Sequence, residues 1–403
     1  MAEARRGTMS TAKDPIAVEA PDPSDLQLSR PNRFDIDLDA IAHNAATVRR
    51  LVGPKTRIFA ALKGDAYGYG AVAVARTVLS AGVDAISLVN VADAVNLRRC
   101  GVSAPVLLYA GVPPDENVVT AVERYDFMPT VLNLESAGVF SSRSRRDLNV
   151  FVKIDVGLER LGVAPDDAVN LMAAVAALPR LNIHGVYAHM HVPENRGVTP
   201  YMAWQFGRFE GVLARLREAG FRIPIAMTAS TSVLLASATT MNLNAIDPGL
   251  IFFGLDRHGP GLVGADLRPA FHSLTSRLVQ VKVVKRTAFR DVAPFSITGS
   301  MRLGVIPIGR YDGMEALCCP HVLVHGVRAN ILGAPATEHT RIDLTHVPQA
   351  RVGDEVVIIG RQGRDEISPA EVARYRGLSS AGMVALGIRE SVPRVYRGGP
   401  AAG

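Results

Sequence analysis

A lysine closes the apolar strand Ile58-Phe59-Ala60-Ala61-Leu62-Lys63, and Gly64-Asp65-Ala66-Tyr67-Gly68-Tyr69-Gly70 follows as a glycine-spaced turn that opens a helix expected from Ala71 to Ala81. Burial at the mouth of an apolar strand disfavours the charged ammonium, and a neutral amine can attack a carbonyl to form a Schiff base. Lys63 is therefore the first candidate for covalent chemistry. Two plainer readings compete on the residues alone. A lysine at a strand end commonly snorkels its ammonium to solvent. The run Gly68-Tyr69-Gly70-Ala71-Val72-Ala73 also fits the loose G-x-G-x-x-A spacing of dinucleotide sites, which would suit a nicotinamide-dependent oxidoreductase.

Other polar residues close later apolar runs. Lys153, Asp155 and Arg160 follow one another in Val152-Lys153-Ile154-Asp155-Val156-Gly157-Leu158-Glu159-Arg160-Leu161-Gly162. Such a trio serves either as an ion-pair cluster or as a frame for a fixed guanidinium that receives a carboxylate or phenolic oxygen. His189 ends Gly185-Val186-Tyr187-Ala188-His189, a place where a lone histidine is more often structural than catalytic. Ser230, after Met227-Thr228-Ala229, offers a small hydroxyl of the kind that holds phosphate at a barrel rim, or is an ordinary loop serine. Asp247 stands before Pro248-Gly249-Leu250.

The elements that would position these residues alternate in type. A half-buried strand near 34–38 leads into a helix that stops at Gly53. Strands follow at Ile58 to Leu62, Ala85 to Val89, Val106 to Tyr109, Phe127 to Val131, Leu148 to Asp155, Ile183 to His189, Ile225 to Thr228 and Ala245 to Ile251, with helices between most of them. The plainest helix begins at Thr199-Pro200, a cap and a first-turn proline, and ends before Gly220. Eight strand-helix units predict an α/β fold, a (β/α)8 TIM barrel, over residues 33–264, with the strand near 34–38 free to join the next domain. Beyond residue 264 short apolar runs such as Leu278 to Val284, Leu303 to Ile308, Val322 to Val324 and Val356 to Ile359 alternate with Gly and Pro turns. They predict a C-terminal antiparallel β-domain over residues 265–403. Residues 1–32 lack an apolar signal core and read as a disordered extension.

The run at Lys63, Asp65, Ala66, Tyr67, Gly68 and Gly70 resembles the cofactor-lysine motif of the alanine racemase family. The resemblance continues through Lys153 to Gly162, Asp247 to Gly254, Val305 to Gly313 and Val392 to Tyr396. It implies pyridoxal 5'-phosphate on Lys63, with Tyr67, Ser230 and the amides of Gly249 and Leu250 at its phosphate. It further implies His189 against the pyridine ring, Arg160 at the substrate carboxylate or the cofactor's phenolic oxygen, and Lys153 as the lysine that is often carbamylated in the family. One departure falls on the cofactor side and the rest on the substrate side. Asp247 stands where the family has an arginine against the pyridine nitrogen, and no tyrosine lies between Phe271 and Arg310, where the catalytic tyrosine is expected. Ungapped counting puts Arg290-Asp291-Val292 at that place, so Asp291, Tyr311 and Glu338 are candidates for the second acid-base group, and Thr337-Glu338 replaces the Met-Asp pair near the substrate.

The resemblance implies racemisation of a small amino acid, alanine by default, in a head-to-tail homodimer. With the second-base tyrosine absent, another α-carbon reaction (aldol cleavage, dehydration or decarboxylation) and a non-catalytic cofactor-binding homologue stay open. Composition adds bounds. In 403 residues, 48% hydrophobic and 20% charged, there is enough apolar material for two cores. The net charge of +6 suits an anionic ligand, but the 44 basic residues form no long run, so no nucleic-acid partner is expected. No segment reaches membrane-spanning length. Three cysteines without metal-ligand spacing point away from a metal and toward a reducing cytoplasm.

Overall fold

A computed structural model describes residues 29–192, 197–237, 239–254, 266–285, 295–297, 299–317, 319–378 and 380–399. The extension expected over residues 1–32 falls almost wholly outside the described residues, and so do Asp291 and its neighbours Arg290 and Val292.

The first strand, β1 (Arg33–Asp37), belongs to the β-domain. The helix Leu38–Val52 follows, capped by the Asp37 side chain on the Ala40 N–H and ended at Gly53. Eight parallel strands then close a barrel: β2 (Arg57–Ala61), β3 (Ala85–Leu88), β4 (Val106–Leu108), β5 (Phe127–Val131), β6 (Leu148–Lys153), β7 (Leu181–Tyr187), β8 (Ile225–Ala229) and β9 (Ala245–Ile246). Closure is made by β2 pairing with β9, Arg57 opposite Ala245 and Ile58 opposite Ile246. Inside, Phe59, Leu107, Met128, Phe151, Ile225 and Met227 fill the barrel as a packed layer rather than a pore. The expected helices appear at Ala71–Ser80 and at Pro200–Glu218, the latter with Thr199 accepting from the Met202 N–H.

The last barrel strand is shorter than its apolar run predicts, two residues instead of the seven from Ala245 to Ile251. Pro248 offers no N–H to a ladder, and the chain turns into the short 3-10 helix Leu250–Phe253. That turn carries Asp247 and Gly249 to the barrel rim.

The C-terminal part holds two sheets. One runs β14-β13-β16-β10-β1-β18, with β17 added on β16; its strands are β10 (Phe271–Arg277), β13 (His321–Val324), β14 (Val327–Asn330), β16 (Glu355–Gln362), β17 (Asp365–Ile367) and β18 (Arg394–Arg397). Its pairings are antiparallel except β1 with β18, so the two ends of the described chain meet in one sheet. The other is β11-β12-β15, with β11 (Gln280–Lys285), β12 (Ser300–Ile306) and β15 (Thr340–Asp343), all antiparallel. A helix at Pro369–Arg376, capped by Ser368, interrupts an otherwise β-rich region and was not predicted from the fading helical pattern. Among the described residues, no helix is long and apolar enough to cross a membrane.

Candidate active site

A cavity of about 700 Å³ opens at the carboxyl ends of the barrel strands. It gathers Lys63, Tyr67, Lys153, Arg160, His189, Ser230, Asp247, Gly249 and Leu250, nine residues singled out in the sequence.

Lys63 enters from a turn of unusual hand. Gly64, Asp65, Ala66 and Tyr67 take φ of 61°, 52°, 53° and 57°, a left-handed turn with three non-glycine residues. L-residues resist this conformation by about 1–2 kcal/mol each, so surrounding contacts must impose it. The Ala66 N–H donates to the Leu62 carbonyl at 2.9 Å, the Gly70 N–H to the Asp65 carbonyl at 3.0 Å, and the Ala71 N–H to Asp65 Oδ1 at 2.7 Å. The β-domain adds two further ties. Arg394 Nε donates to the Gly68 carbonyl at 3.2 Å, and Tyr396 Oη to the Tyr69 carbonyl at 3.1 Å. Gly68 must be glycine, because its φ is 91° and a Cβ would overlap the Ala385 carbonyl.

Electrostatics suit a reactive amine. Burial lowers the Lys63 pKa, Asp247 opposes the shift and Arg160 adds to it. Burial also lowers Lys153, to about 7, against the pull of Asp247. Its Nζ lies 4.1 Å from the centre of the Tyr187 ring. His189 is pushed down to about 3, by burial first and then by Lys153, Lys63 and Arg160, so its imidazole is neutral at any working pH. Tyr67 is shifted upward by burial and by Asp247, so its hydroxyl keeps its proton and can act as a donor.

Arg160 is held from behind. The Asp155 carboxylate accepts the N–H groups of Gly157 and Leu158 at 2.9 Å, of Glu159 at 3.1 Å and of Arg160 at 2.8 Å, which fixes the loop and frees the guanidinium to face the cavity. The trio therefore does not act as a simple ion-pair cluster, because Asp155 spends its oxygens on backbone.

Residues that sequence reasoning passed over complete the wall. Thr231 Oγ1 accepts from the Gly249 N–H at 2.9 Å and from the Ile251 N–H at 3.3 Å, tying the β8 and β9 ends together. The Gly249 amide, expected to face a phosphate, is thus engaged by Thr231 in this structure. Tyr109 Oη donates to Asp247 Oδ2 at 2.9 Å, and the Tyr109 and Tyr187 rings lie 5.6 Å apart. The signal was available: Tyr109 closes the third barrel run, Val106 to Tyr109, a position that faces the site in a barrel.

The β-domain candidates sit apart. Tyr311 and Thr337 are brought together, the Tyr311 N–H donating to the Thr337 carbonyl at 2.9 Å, but both are exposed and neither lines the cavity. Glu338 is likewise exposed. Tyr311 instead borders a neighbouring cleft with Gly64, Asp65 and Arg389.

Comparison with known proteins fits this arrangement. The alanine racemase N-terminal domain matches residues 36–257, and the alanine racemase C-terminal domain matches residues 271–396. This chain belongs to the alanine racemase family. It is 31% identical to the alanine racemase of Desulforamulus reducens over 382 residues, 92% of this chain and all of that one. It is 30% identical to that of Methanococcus maripaludis, over 92% of this chain and 99% of the relative. The crystal structure of Bacillus anthracis alanine racemase with bound L-Ala-P superposes with a TM-score of 0.82 at 27% identity, covering 91% of this chain and 95% of that one. Membership supports an enzyme of the isomerase class, an amino-acid racemase.

Two features of the cavity fit the family's cofactor. Asp247 Oδ1 is buried with no hydrogen-bond partner, and a Cβ at Gly249 would lie 2.5 Å from Tyr67 Oη, leaving a bare backbone cradle beside a donor hydroxyl.

Proposed function

We propose that this chain is a pyridoxal 5'-phosphate-dependent racemase of a small amino acid, alanine first, with Lys63 as the covalent anchor. One observation carries the reading: a lysine amine with a lowered pKa shares a cavity with a donor tyrosine, a hydroxyl-and-backbone cradle, a neutral histidine and an arginine. Tyr67, Ser230 and the Leu250 amide would hold the phosphate, with Gly249, its own amide taken by Thr231, leaving room for it to approach. His189, uncharged, would lie against the ring without repelling a cationic partner, and Arg160 would take the substrate carboxylate or the phenolic oxygen. When bound, the cofactor supplies the electron sink for loss of the α-proton.

Racemisation returns that proton to the opposite face, so it needs an acid-base group on each side. Lys63 serves one. The other would come from the β-domain, from Tyr311 or Glu338 on its exposed rim or from Asp291, which lies outside the described residues. Because Tyr311 and Thr337 lie outside the cavity of their own chain, a head-to-tail homodimer in which a second copy brings this rim to the site is part of the proposal. A cytoplasmic enzyme fits the reduced cysteines expected from the sequence.

The test is solvent deuterium exchange at the α-carbon of L- and D-alanine, with chiral analysis that also reports cleavage products. Exchange with inversion from both enantiomers is expected. Exchange with strict retention, or release of an aldehyde or carbon dioxide, would remove the racemase reading and leave a one-base reaction in its place.

A further inference from the structure

The cavity floor holds an incomplete polar pair. Asp247 is only 6% exposed; its Oδ2 accepts from Tyr109, while Oδ1 is buried and makes no hydrogen bond. A carboxylate oxygen enclosed without a donor is costly unless a ligand completes it. The groups facing it are Tyr109, Lys63 and Lys153, with Tyr187, His189 and Arg160 around the same cavity. Burial raises the Asp247 pKa to about 6, with Lys153, the Tyr109 bond and Lys63 pulling it down, so the carboxylate is charged at neutral pH. Tyr109, shifted far upward by burial, keeps its proton and donates to Oδ2.

An unpartnered anionic oxygen in a wall of tyrosine rings beside a neutral imidazole calls for a flat ligand with a cationic N–H in its plane. A pyridinium nitrogen has that character, and a neutral pyridine nitrogen, which only accepts, would face the carboxylate lone pair to lone pair. We propose that Asp247 holds the pyridine nitrogen of the bound cofactor in its protonated form, and that Tyr109 is a positioning residue that aims the carboxylate. This rests on the cofactor reading above. Its consequence is chemical, because a protonated ring withdraws electrons from the α-carbon more strongly and makes proton loss easier.

The holoenzyme reconstituted with ring-15N pyridoxal phosphate tests it by the nitrogen's NMR shift across pH, with borohydride trapping on Lys63 followed in the same samples. The wild type should show the N–H form at pH 8. Asp247→Asn should lose it or titrate at a much lower pH, and Tyr109→Phe should keep the proton but lower its titration midpoint. A second arm keeps the idea open to refutation should the Asp247 variant bind poorly. Wild-type protein should discriminate against the 1-deaza analogue, with carbon in place of the ring nitrogen, by roughly tenfold or more in affinity. Cofactor trapped on Lys63 with an unprotonated nitrogen, or equal affinity for the analogue, overturns the role of Asp247 alone. A wild type that traps no cofactor overturns this inference and the cofactor reading together.

Discussion

Two segments carry candidate chemistry, and they are built in opposite ways. The Lys63–Gly70 turn is held in a left-handed conformation by its own amides, by Arg394 and Tyr396 of β18, and by packing of Gly68 on Ala385. The rim at Tyr311 and Thr337 is exposed and lines no part of the cavity. If Lys63 anchors the cofactor as proposed, the first segment must fix that amine within one chain, and intrachain contacts over-determine it. In the proposed homodimer the second gains its function only when a partner copy docks against it. The same division separates the residues that resemble the family from those that depart from it, Asp247 excepted.

The largest expected effect comes from breaking the fixed side. Lys63→Ala should abolish borohydride-stable attachment of the cofactor and lower turnover by on the order of 10²–10⁴-fold, the range for a lost proton-transfer group, with more for the lost covalent step. Peptide mapping after reduction reads the first effect directly. A variant that still traps cofactor covalently would move the anchor to another lysine, and Lys153 would be the first suspect.

A smaller effect, of a few kcal/mol, tests the state of Lys153. Its amine sheds a proton near pH 7 when folded, against 10.5 when unfolded. Between those values the unfolded chain binds more protons, so stability of the cofactor-free protein should rise with pH through this window, at up to about 1.4 kcal/mol per pH unit. Lys63, also lowered, contributes with the same sign. Lys153→Met should flatten the rise in urea-denaturation midpoint measured between pH 7 and 10.5. If the wild type is already as flat as the variant, Lys153 does not titrate there, as expected of a carbamylated side chain.

The barrel was legible in the sequence because its strands are continuous apolar runs closed by polar residues. Lys63, Tyr67, Arg160, His189 and Ser230 all line one cavity at the barrel mouth. Other features were less visible for physical reasons. The left-handed hand of the Lys63 turn cannot be read from Asp65-Ala66-Tyr67, residues that avoid it when alone, because β18 helps impose it from more than 320 positions away in sequence. Tyr109 and Thr231 act through hydrogen bonds to other strand ends, so neither belongs to a local motif. The pairing of β1 with β10 and β18 joins distant segments whose alternating pattern names no partner.

The smallest effect distinguishes the two segments most sharply, because it uses the same substitution in each. Tyr396→Phe deletes one hydroxyl, the donor to the Tyr69 carbonyl, while keeping the ring beside Gly70. The loss should be about 0.5–1.5 kcal/mol, the net worth of one such bond. If the β18 contacts hold the turn in its strained form, part of that loss should appear as weaker cofactor binding, up to roughly tenfold, since the unbound turn then has more room to relax away from the geometry that aims Lys63 and Tyr67. Tyr311→Phe removes the same atom from the rim. There the expectation reverses: cofactor affinity stays within about twofold, and any loss appears in turnover or in the ratio of the two racemisation directions. Cofactor titration and progress curves from each enantiomer measure both. Equal losses of cofactor affinity in the two variants would mean that the rim also shapes the cofactor pocket, and that the division between a fixed side and a docking side does not hold.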